Sequence, residues 1–180
     1  MEVHNVFLLQ GSNKGDKKKY LDNSYVLISK KIGKIIQKSS YFESEAWNMK
    51  KKTSLFYNRV LYVKTFHSPI NLLENIIDIE LLMGRNKNEI KGKYKNREID
   101  IDILFYDNII IYSSILNIPH PLLHLRRFVL EPMCEITPNK NHPIFNLKII
   151  EILGLCIDKL MVKKIENFHK HKIDKKNYFP

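Results

Sequence analysis

Apolar side chains recur along this chain with two periods, one typical of strands and one typical of helices, and the two periods take turns. The predicted elements, in chain order, are a strand at Val3 to Gln10, a helix from about Tyr20 to Ile32, strands at Ile35 to Glu43 and Phe56 to Phe66, a helix between Ser68 and Gly84, and a strand that includes Ile99 to Phe105. This order of strand, helix, strand, strand, helix and strand predicts an α+β protein with a ferredoxin-like β-α-β-β-α-β core.

Shorter signals continue beyond this core. An Asp107-Asn108 turn leads into the apolar run Ile109 to Tyr112, which predicts a hairpin with the preceding strand. Helical stripes follow around Phe128 to Cys134 and Leu147 to Cys156. From about Asp158 the chain is rich in Lys with scattered apolar residues, which predicts a helix that frays into a mobile tail.

Length and composition favour one folded domain. The 180 residues contain no linker rich in Pro, Gly or Ser, so we expect a single domain at residues 1–160 and a Lys-rich tail at residues 161–180. Two isolated cysteines, Cys134 and Cys156, lack the spacing of a zinc site or a disulfide framework. Without a signal-peptide pattern or an apolar run near ~18 residues, the sequence predicts a cytoplasmic protein with no membrane partner, which we expect to be a monomer.

The chain is basic. Its formal net charge is +11, from 30 Lys and Arg against 19 Asp and Glu, but the lysines are spread along the sequence and form no patch. A basic chain favours anionic partners such as nucleotides or nucleic acid. Arg occurs at only a few positions, which are Arg59, Arg85, Arg97, Arg126 and Arg127. Because Arg offers a planar pair of donors to phosphate or carboxylate, these positions are candidates for anion binding.

The most informative motif is the Asp-x-Asp of the last predicted core strand. Asp100 and Asp102 share one face of this strand, while Ile99, Ile101 and Ile103 share the other. Two ionised carboxylates about 7 Å apart repel each other and resist desolvation, so the pair calls for a cation. Mg²⁺ suits it, because Mg²⁺ takes one or two carboxylates and completes its shell with water and phosphate oxygens. A solvated outer strand face is the alternative.

Two features before this strand could serve the same site. Glu80 lies either beside the buried stripe of its helix, where it needs a partner, or on an exposed edge that pairs with Lys or Arg. Gly84-Arg85 ends the helix, and a stretch rich in Lys and Asn then fills residues 86–96. That stretch is either a mobile basic loop or a lid that brings positive charge over a polyphosphate when it closes.

Three further signals are weaker. Gly11-Ser12-Asn13 could present backbone N–H groups to phosphate, but it lacks the P-loop pattern, and an ordinary strand-to-helix turn explains it more simply. His120 lies between two prolines, which suits a positioned ligand contact and equally a loop corner. Asn58 could present its amide to a flat heterocycle, although its position in the sequence is not unusual in itself.

The order of these motifs along the chain is more informative than any one of them. They are Gly11-Ser12-Asn13, Ser39 to Ser44, Phe56-Tyr57-Asn58, Ile79-Glu80, Gly84-Arg85, Asn96-Arg97-x-x-Asp100-x-Asp102, and Pro119-His120 with Arg126 and Phe128. This constellation resembles the 6-hydroxymethyl-7,8-dihydropterin pyrophosphokinase family of folate synthesis. The resemblance covers roughly Val6 to Pro138, and the Arg-x-x-Asp-x-Asp strand followed by the Pro-His loop is its most specific part.

The resemblance implies a role for each matching residue. The catalytic group would be Arg85, Arg97, Asp100 and Asp102, with the two aspartates holding two Mg²⁺ ions on the α- and β-phosphates of ATP. The nucleotide would also meet Glu80, His120 and Arg126. Positions that line the pterin pocket match Ser44, Phe56, Asn58 and Phe128, where two aromatic rings sandwich the flat bicycle and the Asn amide reads its edge.

Some positions depart from the family pattern. Tyr94-Lys95-Asn96-Arg97 stands where Trp-Gly-Pro-Arg is common, and Lys87 and Lys93 stand where arginines are common. The pterin loop has Glu45 to Asn48 in place of a Pro-rich segment, and Lys51 to Ser54 in place of Asp-Gln-Pro. These changes bear on lid kinetics and pterin affinity and leave the expected catalytic groups in place.

The expected activity is Mg²⁺-dependent transfer of pyrophosphate from ATP to the hydroxymethyl group of 6-hydroxymethyl-7,8-dihydropterin, which releases AMP. One alternative is a basic module that binds nucleic acid on a ferredoxin-like sheet, although the aspartate strand speaks against such a partner. The other is a nucleotidyltransferase, in which Gly-Ser and Asp-x-Asp normally lie close together; here Ser12 and Asp100 are far apart.

Overall fold

A computed structural model describes residues 2–49, 53–85 and 96–166 of the chain. The strands are β1 (His4–Ser12), β2 (Gly33–Lys38), β3 (Phe42–Ser44), β4 (Phe56–Thr65), β5 (Asp100–Tyr106), β6 (Ile111–Tyr112), β7 (Asn117–Ile118) and β8 (Val162–Lys164). The helices are α1 (Lys17–Lys31), α2 (Pro69–Leu82), α3 (Arg127–Ile136) and α4 (Ile149–Leu155), with a short 3₁₀ helix at Leu123–Leu125. None of the helices in these ranges has the length and apolar content that crossing a bilayer requires.

The sheet has the order β5-β1-β4-β3-β8, and β2 also pairs with β4. Every pairing in it is antiparallel, including β1 with β4 and β1 with β5. The strand with the two aspartates therefore lies at one edge, next to the first strand, as the ferredoxin-like plan requires. The predicted fold class is confirmed.

The alternation of side chains gives the sheet two buried faces. Leu8, Leu61 and Ile103 pack with residues of α1 and α2 in one hydrophobic cluster. On the opposite face, Leu9 and Val60 pack with residues of α3 and α4 in a second cluster. Asp100 and Asp102 belong to this second face, at the end of the strands where the apolar cover stops.

Local signals fixed the second helix. The Ser68 hydroxyl accepts a hydrogen bond from the backbone N–H of Asn71 at 3.3 Å, and Pro69 occupies the first turn, where no N–H is needed. Gly84 has a φ of +103°, the left-handed region that an L side chain rarely adopts. The predicted limits of this helix are confirmed.

Three predicted elements differ from the structure. The single strand predicted at Ile35 to Glu43 is split into β2 and β3, because Ser39 bonds to Val60 through both its N–H and its hydroxyl, at 2.9 and 3.0 Å. The run after Asp107 pairs β6 with β7 in a separate two-stranded sheet, so the predicted hairpin with the aspartate strand is wrong.

The third difference concerns the C-terminal region. Where a helix was expected from about Asp158, the chain is extended and forms β8, which pairs with β3 at the edge of the main sheet. Part of the predicted tail at residues 161–180 is therefore sheet. Residues 167–180 of that tail lie outside the described residues.

A buried arginine joins the sheet to the first helix. Arg59, which is 1% exposed, donates to the side chains of Gln10, Asp22 and Tyr41 at 2.8, 3.2 and 2.9 Å, and to the backbone oxygen of Leu21 at 2.7 Å. Four of its five N–H donors meet protein groups, so this arginine serves the fold. It is not the anion-binding position that its residue type suggested.

Replacing Arg59 with Lys is expected to lower the free energy of unfolding by about 2 kcal/mol or more, because a single ammonium cannot reach acceptors on three sides and each buried acceptor without a donor costs ~1–3 kcal/mol. Urea unfolding measures this loss. Arg127→Lys is the matched control: its side chain is 45% exposed, and it is expected to change stability by less than ~0.5 kcal/mol. Equal effects of the two substitutions would contradict this account of Arg59.

Candidate active site

Strand register brings the predicted site residues onto one face of the sheet. In antiparallel pairs, directly opposite residues project to the same side. Asp100 is opposite Gly11 and Asp102 is opposite Leu9. Gly11 in turn is opposite Asn58. The two carboxylates and the Asn amide therefore face the same way, across three neighbouring strands.

A cleft opens over this face. Its walls include eight predicted site residues, which are Ser44, Phe56, Asn58, Arg97, Asp100, Asp102, Arg126 and Phe128. They come from β3, β4, β5, the start of α3 and the segments beside them, so residues distant in sequence meet in one place. The remaining predicted residues, Glu80, Arg85 and His120, surround the carboxylates and do not line this cleft.

Asp100 is held between two arginines. Its Oδ1 accepts from Arg85 Nη1 at 2.9 Å, and its Oδ2 lies 2.8 Å from Arg97 Nη1. The carboxylate side chain is 25% exposed, so the contact is partly open to solvent. Each guanidinium carries five N–H donors, of which the contact with Asp100 uses one.

Glu80 supports this arrangement from behind. It is 5% exposed, and its Oε1 accepts from the backbone N–H of Ile101 at 2.8 Å and lies 2.5 Å from Arg85 Nη1. Burial, and then the charge of Asp100, raise the pKa of Glu80 to about 8 despite Arg85. Of the two alternatives for this residue, the buried one with a cationic partner is confirmed. Its contacts position Arg85 and the aspartate strand.

Asp102 has a strongly shifted pKa. Burial, and then the neighbouring charge of Asp100, raise the pKa of Asp102 to about 7, although Arg126, Arg97 and Arg85 act in the opposite direction. A buried carboxylate beside a second carboxylate is stabilised in its ionised form by an added cation. The pair is therefore electrostatically suited to a divalent ion.

The donor set points to a particular kind of ion. Within the described residues, no three His, Cys, Asp or Glu side chains come together as a ready-made metal site. Two carboxylates can hold a hard cation only if water and a ligand's oxygens complete its shell, which is how Mg²⁺ is bound with phosphates. Asp100 and Asp102 thus fit Mg²⁺ in company with a polyphosphate.

The other half of the cleft is aromatic with one placed amide. Asn58 is 1% exposed and its Nδ2 donates to Ser44 Oγ at 2.8 Å, which fixes the orientation of the amide. Phe56 and Phe128 are both in the cleft wall. A Cβ on Gly11 would lie 3.4 Å from Asn58 Oδ1 and 3.8 Å from the Phe56 ring, so glycine keeps this floor open. Such a slot suits a flat heterocycle with a hydrogen-bonding edge.

Trp47 was not among the predicted site residues. The guanidinium of Arg126 lies 4.7 Å from the centre of the Trp47 ring and 5.8 Å from that of Phe128. Trp47 also lines the cleft. It is the one tryptophan of the chain and lies in the segment that departs from the family pattern. The departure of this segment from the family pattern is the sequence signal that could have identified Trp47 as a site residue.

Asn13 is the second residue whose role sequence reasoning missed. Its Oδ1 accepts from the backbone N–H of Arg97 at 2.8 Å, and its own N–H donates to the Arg97 oxygen at 3.1 Å. The Asn13 amide also donates to Asn96 Oδ1 at 2.8 Å and is 3% exposed. Gly11 and Ser12 are strand residues of β1, so this motif anchors Arg97 and is not a phosphate loop.

His120 lies beside the aspartate strand. Its backbone N–H donates to the Leu104 oxygen at 3.0 Å, and its Nδ1 accepts from the N–H of Leu122 at 3.2 Å. Burial, and then the charge of Arg126, lower the pKa of His120 to about 4, so the ring is neutral at physiological pH. The predicted lid at residues 86–96 lies, except for Asn96, outside the described residues.

Comparison with known proteins gives consistent results. Residues 7–138 match the family model described as 7,8-dihydro-6-hydroxymethylpterin-pyrophosphokinase (HPPK). The 2-amino-4-hydroxy-6-hydroxymethyldihydropteridine pyrophosphokinase of Aquifex aeolicus is 37% identical over 146 residues, which cover 81% of this chain and 88% of that protein. Folic acid synthesis protein FOL1 of Dictyostelium discoideum is 38% identical over 142 residues, 79% of this chain and 21% of that longer protein.

Solved structures show the same fold. An HPPK-DHPS in complex with substrates superimposes with a TM-score of 0.67 and 18% identity, over 86% of this chain and 43% of that one. Plasmodium falciparum HPPK-DHPS with pteroate superimposes with a TM-score of 0.69 and 20% identity, over 86% of this chain and 42% of that one. This chain spans less than half of these structures.

The free energy of unfolding of Asp102→Asn, relative to that of the wild type, is expected to increase as pH rises. With a folded pKa of about 7 against an ordinary value of 3.8, the wild-type carboxyl favours folding when protonated. That contribution is lost between about pH 4 and 7 and changes little above pH 7. In EDTA, urea unfolding should show the difference growing across that window by an amount on the order of a few kcal/mol. The exposed control Asp78→Asn should show no such trend, and a constant difference for Asp102→Asn would refute the assignment.

Proposed function

This chain belongs to the 7,8-dihydro-6-hydroxymethylpterin-pyrophosphokinase family, and we propose that it transfers the pyrophosphoryl group of ATP to the hydroxymethyl oxygen of 6-hydroxymethyl-7,8-dihydropterin and releases AMP. One observation carries the proposal: the carboxylate pair and the aromatic slot line the same cleft. A polyphosphate at one end and a flat alcohol at the other would meet between them. Transfer within such a site needs positioning and charge neutralisation more than covalent help from the protein.

At the nucleotide end, Asp100 and Asp102 are the candidate ligands of two Mg²⁺ ions. When bound, Mg²⁺ would neutralise phosphate charge and lower the pKa of the attacking hydroxyl. Arg85 and Arg97, which meet Asp100 at 2.9 and 2.8 Å, would turn donors towards the phosphates. The carboxylate would thereby become available to a cation as the arginines gain an anion.

Other residues on this side have supporting parts. Arg126 would add positive charge between the two ends of the cleft. His120, a neutral imidazole whose Nδ1 already accepts a hydrogen bond, would offer its other ring nitrogen as a donor to the nucleotide. Glu80 would act through Arg85, whose position it fixes.

At the pterin end, Phe56 and Phe128 would cover the two faces of the bicycle. The Asn58 amide, fixed by Ser44, would read its hydrogen-bonding edge. A rigid buried amide discriminates strongly, because a ligand without the complementary edge leaves it without partners. Holding both substrates in one small cleft also keeps water from the reacting phosphate.

Identification of the product tests this proposal directly. Purified protein, ATP, Mg²⁺ and 6-hydroxymethyl-7,8-dihydropterin are expected to yield AMP in proportion to the pterin consumed. Release of pyrophosphate would indicate nucleotidyl transfer instead. Strong, salt-dependent RNA binding without either product would favour the nucleic-acid-binding alternative.

Asp100→Ala and Asp102→Ala are each expected to lower the rate of AMP formation at least about 10²-fold, because each removes a candidate ligand for the ions that neutralise the phosphates. Circular dichroism should show an intact fold in both variants. Asp78→Ala, an exposed aspartate on α2, is the matched control and should retain full activity. Near-normal turnover of either site variant would show that the metal assignment is wrong.

Asn13→Ala is expected to lower kcat by about ten- to a hundredfold, because Arg97 loses the side-chain acceptor of its backbone N–H and misplaced phosphate contacts are costly. The ferredoxin-like fold should persist, since the backbone bond from Asn13 to Arg97 remains. Asn75→Ala removes an amide that bonds only within its own helix among the contacts described and should have no effect. Steady-state kinetics decides, and an unchanged kcat for Asn13→Ala would contradict the anchoring role.

A further inference from the structure

The last strand lies beyond the residues that match the family model. The family match ends at residue 138, whereas β8 covers Val162–Lys164. This strand pairs in antiparallel register with β3, so that Ser44 is opposite Val162 and Phe42 is opposite Lys164. A segment beyond the matched residues thus completes the sheet beside the proposed pterin pocket.

Backbone bonds continue past both ends of the strand pair. At one end the Ile165 N–H donates to the Tyr41 oxygen at 2.9 Å. At the other, the Glu45 N–H donates to the Met161 oxygen at 3.1 Å, and the Met161 N–H donates to Glu45 Oε2 at 2.8 Å. Glu45 is therefore held through both its backbone and its side chain, at the point where β3 leads into the loop that carries Trp47.

A side-chain bond ties β8 to the third helix. Lys164 Nζ lies 2.9 Å from Glu135 Oε1 on α3. The same Glu135 carboxylate accepts from the backbone N–H and the hydroxyl of Ser40, at 2.9 and 2.8 Å. Since Ser40 lies two residues before β3, the helix, the last strand and the segment before β3 form one connected unit.

The pocket depends on this unit through Ser44. That residue accepts the hydrogen bond from Asn58 that fixes the amide, and it lines the cleft with Glu45 and Trp47. β3 is three residues long. So short a strand, bonded on one side only, frays readily. Pairing on the other side supplies the missing constraint.

We propose that β8 is a positioning element for the pterin substrate: by pairing with β3 it holds Ser44 and the loop from Glu45 to Met49 in the geometry that binds the heterocycle. The proposal rests on the function proposed above and assigns pterin recognition, but not nucleotide recognition, to this strand. The residues that hold the phosphates are on β5 and beside it, at the opposite edge of the sheet.

Lys163 offers a matched pair of substitutions. The register places it opposite Glu43. Because the pairs on either side of this one, Glu45 with Met161 and Tyr41 with Ile165, are hydrogen-bonded and such pairs alternate in an antiparallel ladder, Lys163 and Glu43 also form a hydrogen-bonded pair. Its side chain is exposed. Lys163→Pro removes the backbone donor and disrupts the pairing, whereas Lys163→Ala removes the charge and keeps the donor.

Lys163→Pro is expected to raise KM for the pterin about five- to tenfold relative to Lys163→Ala, the scale of one lost positioning hydrogen bond. The KM for ATP and kcat should stay within about twofold, a split that general destabilisation would not produce. Calorimetric titration with the pterin should give the same weakening, and Trp47, the one tryptophan of the chain, reports the loop through its fluorescence.

Equal pterin KM values for the two variants, or parallel changes in both KM values, would overturn the proposal. If Lys163→Pro does not fold, Glu135→Ala takes its place, with Glu131→Ala on the same helix as control, and an unchanged pterin KM for Glu135→Ala overturns it likewise. The two proposals fail separately: a wild type that binds the pterin but makes no AMP refutes only the function, whereas one that binds no pterin refutes both.

Discussion

The balance of charge around Asp100 is the constraint on which the site depends. Two carboxylates on one strand face are costly, and this protein offsets the first by placing it between Arg85 and Arg97. Asp102, half-buried beside it, has its pKa raised to about 7 by desolvation and by the charge of Asp100. The structure thus holds a second carboxylate that a cation would stabilise in its ionised form and an arginine pair that an anion would attract. A metal–polyphosphate ligand satisfies both at once.

The positions of the strands in the sheet determine where these groups lie. An edge position for β5 lets Glu80 reach the outer N–H of Ile101 and hold Arg85, while the inner side pairs with β1. On the opposite flank, β3 is also near an edge, and β8 covers it. The central strands, β1 and β4, form a rigid floor between the two. The aspartates of β5 and Ser44 of β3 therefore lie towards opposite margins of the sheet, where a small extension can tune one proposed subsite without disturbing the other.

Sequence reasoning succeeded where the causes are local. The period-two pattern around Asp100 set the facing of the carboxylates, and the Ser68, Pro69 and Gly84 signals fixed the limits of α2. It failed where groups distant in the chain bond to each other. Asn13 meets Arg97 across 84 positions, and β8 meets β3 across more than a hundred. Ser39 divides a continuous apolar run by bonding to Val60. Neither periodicity nor propensity records such contacts.

Counting bound metal ions tests the central claim most directly. Mn²⁺ can replace Mg²⁺ as a paramagnetic probe, and α,β-methylene-ATP cannot be cleaved at the bond that releases AMP. Electron paramagnetic resonance of the wild type with this analogue should show two Mn²⁺ ions in each protein–analogue complex, after subtraction of the Mn²⁺ bound by free analogue. Asp100→Asn and Asp102→Asn should each lose at least one. An ion count that neither substitution changes would contradict the assignment of these carboxylates as the metal ligands.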